Sequence, residues 1–172
     1  MSFRDENTAA GQRAITQGNT SEEKIVQYFR KMGWAARRNP ELEPGWDILL
    51  INKAGKKFYV EVKSSAGVFN DGSPAPTGNL QGSHGKLGGG KEIEGWRDRN
   101  NKTTHLIMHN MLTDNIYLRN INDVRKWYDH KLFLGDEELW EGASNTTRGF
   151  LIRWEEPVWS AGKFITINVG AK

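Results

Sequence analysis

Two apolar segments joined by a short turn-like stretch limit what this chain can fold into. Trp46-Asp47-Ile48-Leu49-Leu50-Ile51 and Lys57-Phe58-Tyr59-Val60-Glu61-Val62-Lys63 are rich in β-branched and aromatic residues, and Asn52-Lys53-Ala54-Gly55-Lys56 has the composition of a hairpin connection. With Gly55 in the left-handed position of a three-residue loop, Asn52 pairs with Lys56, and the same register sets Asp47 opposite Glu61. Strand side chains alternate, so Phe58, Val60 and Val62 share one face while Tyr59, Glu61 and Lys63 share the other. Two carboxylates facing each other across a ladder repel. Solvent, a proton, a nearby lysine such as Lys63 or a divalent cation must offset that repulsion. A solvated face of an antiparallel sheet carries the same alternation, so the pattern alone leaves these open. Of the cations, Mg2+ prefers oxygen-rich sites with few protein ligands.

The flanking sequence sets the hairpin in a larger domain. Thr20-Ser21-Glu22-Glu23 matches a capping box with Thr20 as N-cap, and Ile25, Val26, Phe29 and Met32 follow at helical spacing up to a C-terminal Gly33. Residues 1–18 then read as a flexible N-terminal arm, and 19–172 as the folded domain. Trp34-Ala35-Ala36 begins a short strand leading to Arg37-Arg38. Residues 66–95 are Gly-rich with almost nothing apolar, which predicts a long insert without regular structure. Segments 105–109 and 115–119 read as a strand pair turning at Thr113-Asp114. Ile121, Val124, Trp127 and Tyr128 give a helical stripe starting near Asn120 or Asn122, and 149–154 and 163–169 supply further strands. No internal repeat is present. The order predicts a single α/β domain with a central mixed β-sheet flanked by helices.

Composition excludes several classes of function. A chain of 172 residues, 37% hydrophobic and 26% charged, fits one soluble globular domain. Without cysteine there is no disulfide framework, thiolate zinc site or iron–sulfur cluster. No apolar run is long enough for a membrane span, and the polar N-terminus has no signal-peptide core, so an intracellular location is expected. The net charge of +3 and pI of about 9.1 suit a phosphate-backbone partner, as they suit many others. The glycine-rich segment lacks the Gly-x-x-x-x-Gly-Lys-Ser/Thr pattern, so no nucleotide cofactor is expected. Its Lys86 and Lys91, with Arg97, Arg99 and Lys102, are candidate phosphate contacts, although Glu92, Glu94 and Asp98 interleave them as in a solvated linker. His105 and His109 share a strand face without a third zinc partner, and read as polar strand-end residues.

At Gly45-Trp46-Asp47 and Glu61-Val62-Lys63 the chain resembles the PD-(D/E)XK nuclease superfamily. Over residues 18–63 it is similar to archaeal-type Holliday junction resolvases: Gly18 and Glu22 opening a helix, the Gly33-Trp34 break, and Arg38 ending a short strand. It departs from them in lacking a proline before the acidic residue and in carrying Glu23 where a basic residue is frequent. The resemblance implies a restriction-endonuclease-like fold and an Mg2+-dependent DNA endonuclease, with Mn2+ as substitute. Asp47, Glu61, the Val62 carbonyl and Glu22 would hold the metal, and Lys63 would assist the attacking water. Catalysis is the favoured role of Glu22; with Asn19 as N-cap it would instead be a capping residue. Arg37 and Arg38 are candidates to grip the DNA backbone, or a solvated pair at a loop. A structure-selective, resolvase-like enzyme acting as a homodimer is the leading expectation. A sequence-specific restriction or homing endonuclease with the same site is the alternative, and a non-catalytic nucleic-acid-binding domain the second alternative.

Overall fold

The computed structural model describes residues 9–40, 46–86, 90–135, 138–141, 145–154 and 165–170. It is a mixed α/β domain with a six-stranded sheet in the order β1-β2-β3-β6-β7-β10, formed by Ala35–Arg38, Ile48–Ile51, Lys57–Ser65, His105–Asn110, Asn115–Asn120 and Ile165–Asn168. Only the β3–β6 pairing in this sheet is parallel. The sequence places β2 and β3 correctly. The observed pairs Ile48↔Val60, Leu49↔Tyr59 and Leu50↔Phe58 are those of the expected register. Gly55 takes φ +78°, Asn52 N–H donates to the Lys56 carbonyl at 3.1 Å, and the Asn52 side chain accepts from the N–H groups of Ala54 and Lys56.

Helix α1 spans Ala9–Lys31, so it begins well before the expected start. Thr20 is an interior helical residue and not the N-cap; its hydroxyl donates to the Thr16 carbonyl at 2.8 Å, one turn back. The Ala, Gln and Arg residues of 9–17 are good helix formers, and they carry the helix through the capping-like tetrad. The described part of the expected arm is therefore helical. The C-terminus follows expectation. Gly33 adopts φ +81°, its N–H donates to the Arg30 carbonyl, and the Trp34 N–H donates to the Phe29 carbonyl, which makes a Schellman ending.

Ile25, Val26 and Phe29 of α1 pack on one face of the sheet, against Ala36, Ile48, Leu50, Val60, Ile107 and Ile116. Helix α2, Ile121–Leu134, packs on the other through Ile121, Val124 and Tyr128, next to Leu106 and Met108. The Asn120 side chain caps α2 by accepting from Asn122 N–H at 2.9 Å, and Gly135 ends it at φ +76°.

The Gly-rich insert is not a loop. After a short excursion bridged at Val68↔Pro74, β4 runs Thr77–Lys86 in a second, four-stranded sheet with β5 (Gly90–Ile93), β8 (Glu138–Glu141) and β9 (Asn145–Arg153), ordered β5-β4-β9-β8. Its glycines are there for closeness. A Cβ on Gly82 would lie 2.2 Å from the Tyr128 ring, and one on Gly78 would lie 2.5 Å from Trp154 and 2.8 Å from Met108. Leu80, Phe150 and Ile152 fill the rest of that buried face.

Candidate active site

Asp47 immediately precedes β2 and is clamped by its backbone: its carbonyl accepts from Asn39 N–H at 2.7 Å, and its N–H donates to the Val60 carbonyl at 2.8 Å. The side chain then replaces a ladder partner, because Oδ2 accepts from the Val62 N–H at 2.7 Å. This carries the carboxyl over β3 beside Glu61, although the backbone departs from the expected pairing: the Asp47 N–H bonds to Val60 and not to Glu61, and the ladder begins at Ile48↔Val60. Burial, reinforced by the Glu61 charge, raises the Asp47 carboxyl well above the usual carboxylate range, and the Lys63 ammonium only partly opposes it.

Glu61 is 8% exposed. Lys63, two residues along on the same face, places Nζ 2.5 Å from Glu61 Oε1. In β6 their neighbours are Leu106 for Glu61 and Met108 for Lys63, so both charges rise from the sheet face that α2 and the second sheet cover further along. Val62 points the other way, into the core beneath α1.

Glu22 comes from α1 and is half-buried. Burial raises its carboxyl, the neighbouring Arg38 opposes that shift, and the Glu61 charge adds to it. Arg38 donates from Nε to Glu22 Oε2 at 2.8 Å and from Nη2 to Asn19 Oδ1 at 2.6 Å. The guanidinium expected on DNA is thus engaged by the helix. Arg37 is exposed and projects from the opposite side of β1, where its cross-strand neighbour Leu49 lies next to Tyr59. It shares the face of Asp47 and Glu61. Lys86 and Lys91 belong to β4 and β5, but their side chains lie outside the described residues.

Among the described residues, no three acidic or histidine side chains converge tightly enough to enclose an ion. Asp47 and Glu61 by themselves suit a hard cation with an open shell: two oxygen donors, enclosed, and mutually repulsive. Glu22 does not close on them here, being held by Arg38. An open groove lined by Asn19, Glu23, Lys24, Tyr28, Asp114 and Gly170 among others includes neither Asp47 nor Glu61. A concave pocket is a poor guide to a site whose substrate is itself a large convex surface.

One polar chain escaped the sequence reading. Ser21 Oγ lies 2.6 Å from His109 Nδ1, His109 Nε2 lies 3.3 Å from Asp114 Oδ1, and Lys24 Nζ reaches Asp114 at 2.7 Å. His109, the last residue but one of β6, is 1% exposed, and burial lowers its pKa. Burial acts to raise the Asp114 carboxyl, but the Lys24 ammonium outweighs it and holds the group low. Ser21 and Lys24 flank Glu22, so this chain sets the rotation of α1 that aims Glu22 at the sheet. The four-residue spacing of His105 and His109 gave no signal of a partner on a distant helix.

No family model matches the chain, and neither does any curated protein. Among solved structures it is similar to a bacterial homing endonuclease, I-Ssp6803I, with a TM-score of 0.51 over 83% of this chain and 80% of that one, at 13% sequence identity. At that identity the likeness is one of fold.

Proposed function

We propose that this chain is a divalent-metal-dependent endonuclease that cuts DNA, with Asp47, Glu61 and Lys63 at its catalytic centre. The observation that carries the proposal is the enclosed pair Asp47 and Glu61 on one sheet face with a lysine beside them. Such a pair raises the energy of its own ionised state, and a cation relieves it. The fold shared with a homing endonuclease supports the same reading.

Asp47 and Glu61 are the residues to hold Mg2+ or Mn2+, with the Val62 carbonyl as a further oxygen. When bound, such an ion polarises the scissile phosphate and lowers the pKa of water. Lys63 keeps a positive charge beside the two carboxylates, where its ammonium donates to the attacking water or to a phosphate oxygen. Arg37, on the same face and at the sheet edge, is placed to contact the backbone of an approaching strand. Glu22, steadied by Arg38 and by the Ser21–His109 contact, adds negative charge at the rim of the site.

A sequence-defined duplex is the favoured substrate. The likeness to the homing endonuclease extends over 83% of the chain, far beyond the 18–63 segment that resembles junction resolvases. Two symmetric cuts need two sites, so the working unit is a homodimer. The test is cleavage of long linear duplexes and of a synthetic four-way junction, each with Mg2+, with Mn2+ and with chelator. Discrete duplex fragments that disappear with chelator and with Asp47→Ala support the proposal, and junction-only cutting moves the substrate to the resolvase reading. If no divalent metal supports cleavage of either DNA, or if Asp47→Ala cuts as well as the parent, the proposal fails.

A further inference from the structure

The second sheet has two unlike faces. Gly78, Leu80 and Gly82 of β4 turn inward together with Phe150 and Ile152 of β9. The alternate positions turn outward: Thr77 opposite Arg153, Asn79 opposite Leu151, and Gln81 opposite Gly149. Asn79, Leu151 and Arg153 are exposed, and Leu151 keeps 46% of its surface. A guanidinium, two carboxamides and two aliphatic or methyl-bearing side chains stand on adjacent strands, and the acid that shares this face by register, Glu138 of β8, lies opposite Gly149, beyond the Asn79–Arg153 end.

That combination matches the edges of base pairs better than it matches a protein surface. Arg reads guanine through two acceptors, Asn and Gln read adenine through one acceptor and one donor, and an aliphatic group meets the thymine methyl. A two-stranded β-ribbon fits the major groove of B-form DNA. The face is also rigid where it must be. Its buried side presses Gly78 against Met108 and Trp154, and Gly82 against Tyr128, so the outward side chains start from a fixed backbone. On its buried side the second sheet packs over the strands of the catalytic centre, since Met108, under Gly78, is the neighbour of Lys63 in the parallel β3–β6 pair.

We infer that the outward face of β4 and β9 is the base-reading surface of the protein, with Asn79 and Arg153 as the principal specificity-determining residues and the major groove of duplex DNA as their partner. The inference rests on the endonuclease proposal for its biological sense but not for its test. Selection of bound sequences from a randomised duplex library, in chelator, reads base recognition without cleavage. The parent yields a defined motif. Arg153→Ala and Asn79→Ala each lose discrimination at separate positions of that motif, by roughly 10- to 100-fold against the preferred base. Both variants keep the parent's affinity for non-specific duplex to within a few-fold and the parent's thermal midpoint.

A parent without any motif, or without DNA binding, overturns the inference. So do variants that retain the parent motif in full, or that alter only self-association of the chain, which would make this face a contact between copies. Cleavage of plasmid DNA by the parent and by Asp47→Ala, run in parallel with Mg2+, reports on the endonuclease proposal by itself. Cleavage without a motif sinks the reading surface alone, and a motif without cleavage sinks the catalytic centre alone.

Discussion

Two polar assemblies lie on the six-stranded sheet, one beneath α1 and the other on the opposite face, and their electrostatics are opposite. In Ser21–His109–Asp114–Lys24 every group has a complementary partner: a hydroxyl on an imidazole, the imidazole on a carboxylate, and an ammonium closing the chain at 2.7 Å. In Asp47–Glu61–Lys63 two carboxylates stand beside one ammonium, and Asp47 is pushed far up, by burial first and then by the Glu61 charge. The first arrangement is what a fold uses to fix a helix on a sheet. The second holds a standing deficit of positive charge, which a scaffold has no reason to keep. Burial of the inner groups does not separate the two, because Ser21 and His109 are as deeply buried as Glu61. Charge balance does.

The largest effect expected from this contrast is on cleavage. Asp47→Asn or Glu61→Gln lowers the rate by at least ~100-fold, the scale on which removing one electrostatic stabiliser acts, while the thermal midpoint holds or rises. His109→Ala behaves in the reverse way. It leaves Ser21 without its buried partner and destabilises the fold by about 1–3 kcal/mol in urea titration, and cleavage declines mainly as Glu22 loses its anchor. If His109→Ala proves neutral in stability, or Asp47→Asn destabilising at neutral pH, the division between scaffold and site is wrong.

A smaller effect appears in the pH dependence of stability. A carboxyl raised in the folded state binds its proton more readily there than in the unfolded chain. Its cost to stability is therefore absent below the ordinary carboxylate range and complete above the raised value. Asp47→Asn keeps an oxygen for the Val62 N–H and removes the charge. It should raise the unfolding midpoint in neutral and mildly alkaline buffer and lose that advantage in acid. Adding Mg2+ should raise the parent's midpoint at neutral pH and leave that of Asp47→Asn unmoved, since only a bound ion stabilises by mass action. The smallest effect belongs to Arg38→Ala. Its pair with Glu22 is substantially exposed on the arginine side, so the stability change stays within about 0–1 kcal/mol, and cleavage declines a few-fold as Glu22 loses its tether.

How much of this was legible in sequence depends on whether the cause was local. The β2–β3 register followed from Gly55 and strict alternation, the end of α1 from Gly33, and the start of α2 from Asn120; each is decided within a few residues. The start of α1 misled because a capping-box tetrad also fits inside a helix, where Thr20 simply bonds back to Thr16. Strand β4 was invisible for a different reason. Gly78 and Gly82 remove the strand's apolar signature, and what requires them there is Trp154, Met108 and Tyr128, distant in sequence. The site shows the same division. Asp47, Glu61 and Lys63 share one hairpin and could be placed together from spacing. The hold of Arg38 on Glu22, and of His109 on Ser21, joins elements whose contact no local pattern records.

The measurement that tests the account most directly is cleavage of a sequence-diverse pool of linear duplexes by the parent and by Asp47→Asn across a Mg2+ titration. The account predicts discrete products from the parent that rise with Mg2+ and saturate, with none from Asp47→Asn although it is folded and still binds DNA. Equal cleavage by the two proteins, or cleavage by the parent that persists in chelator, would contradict it.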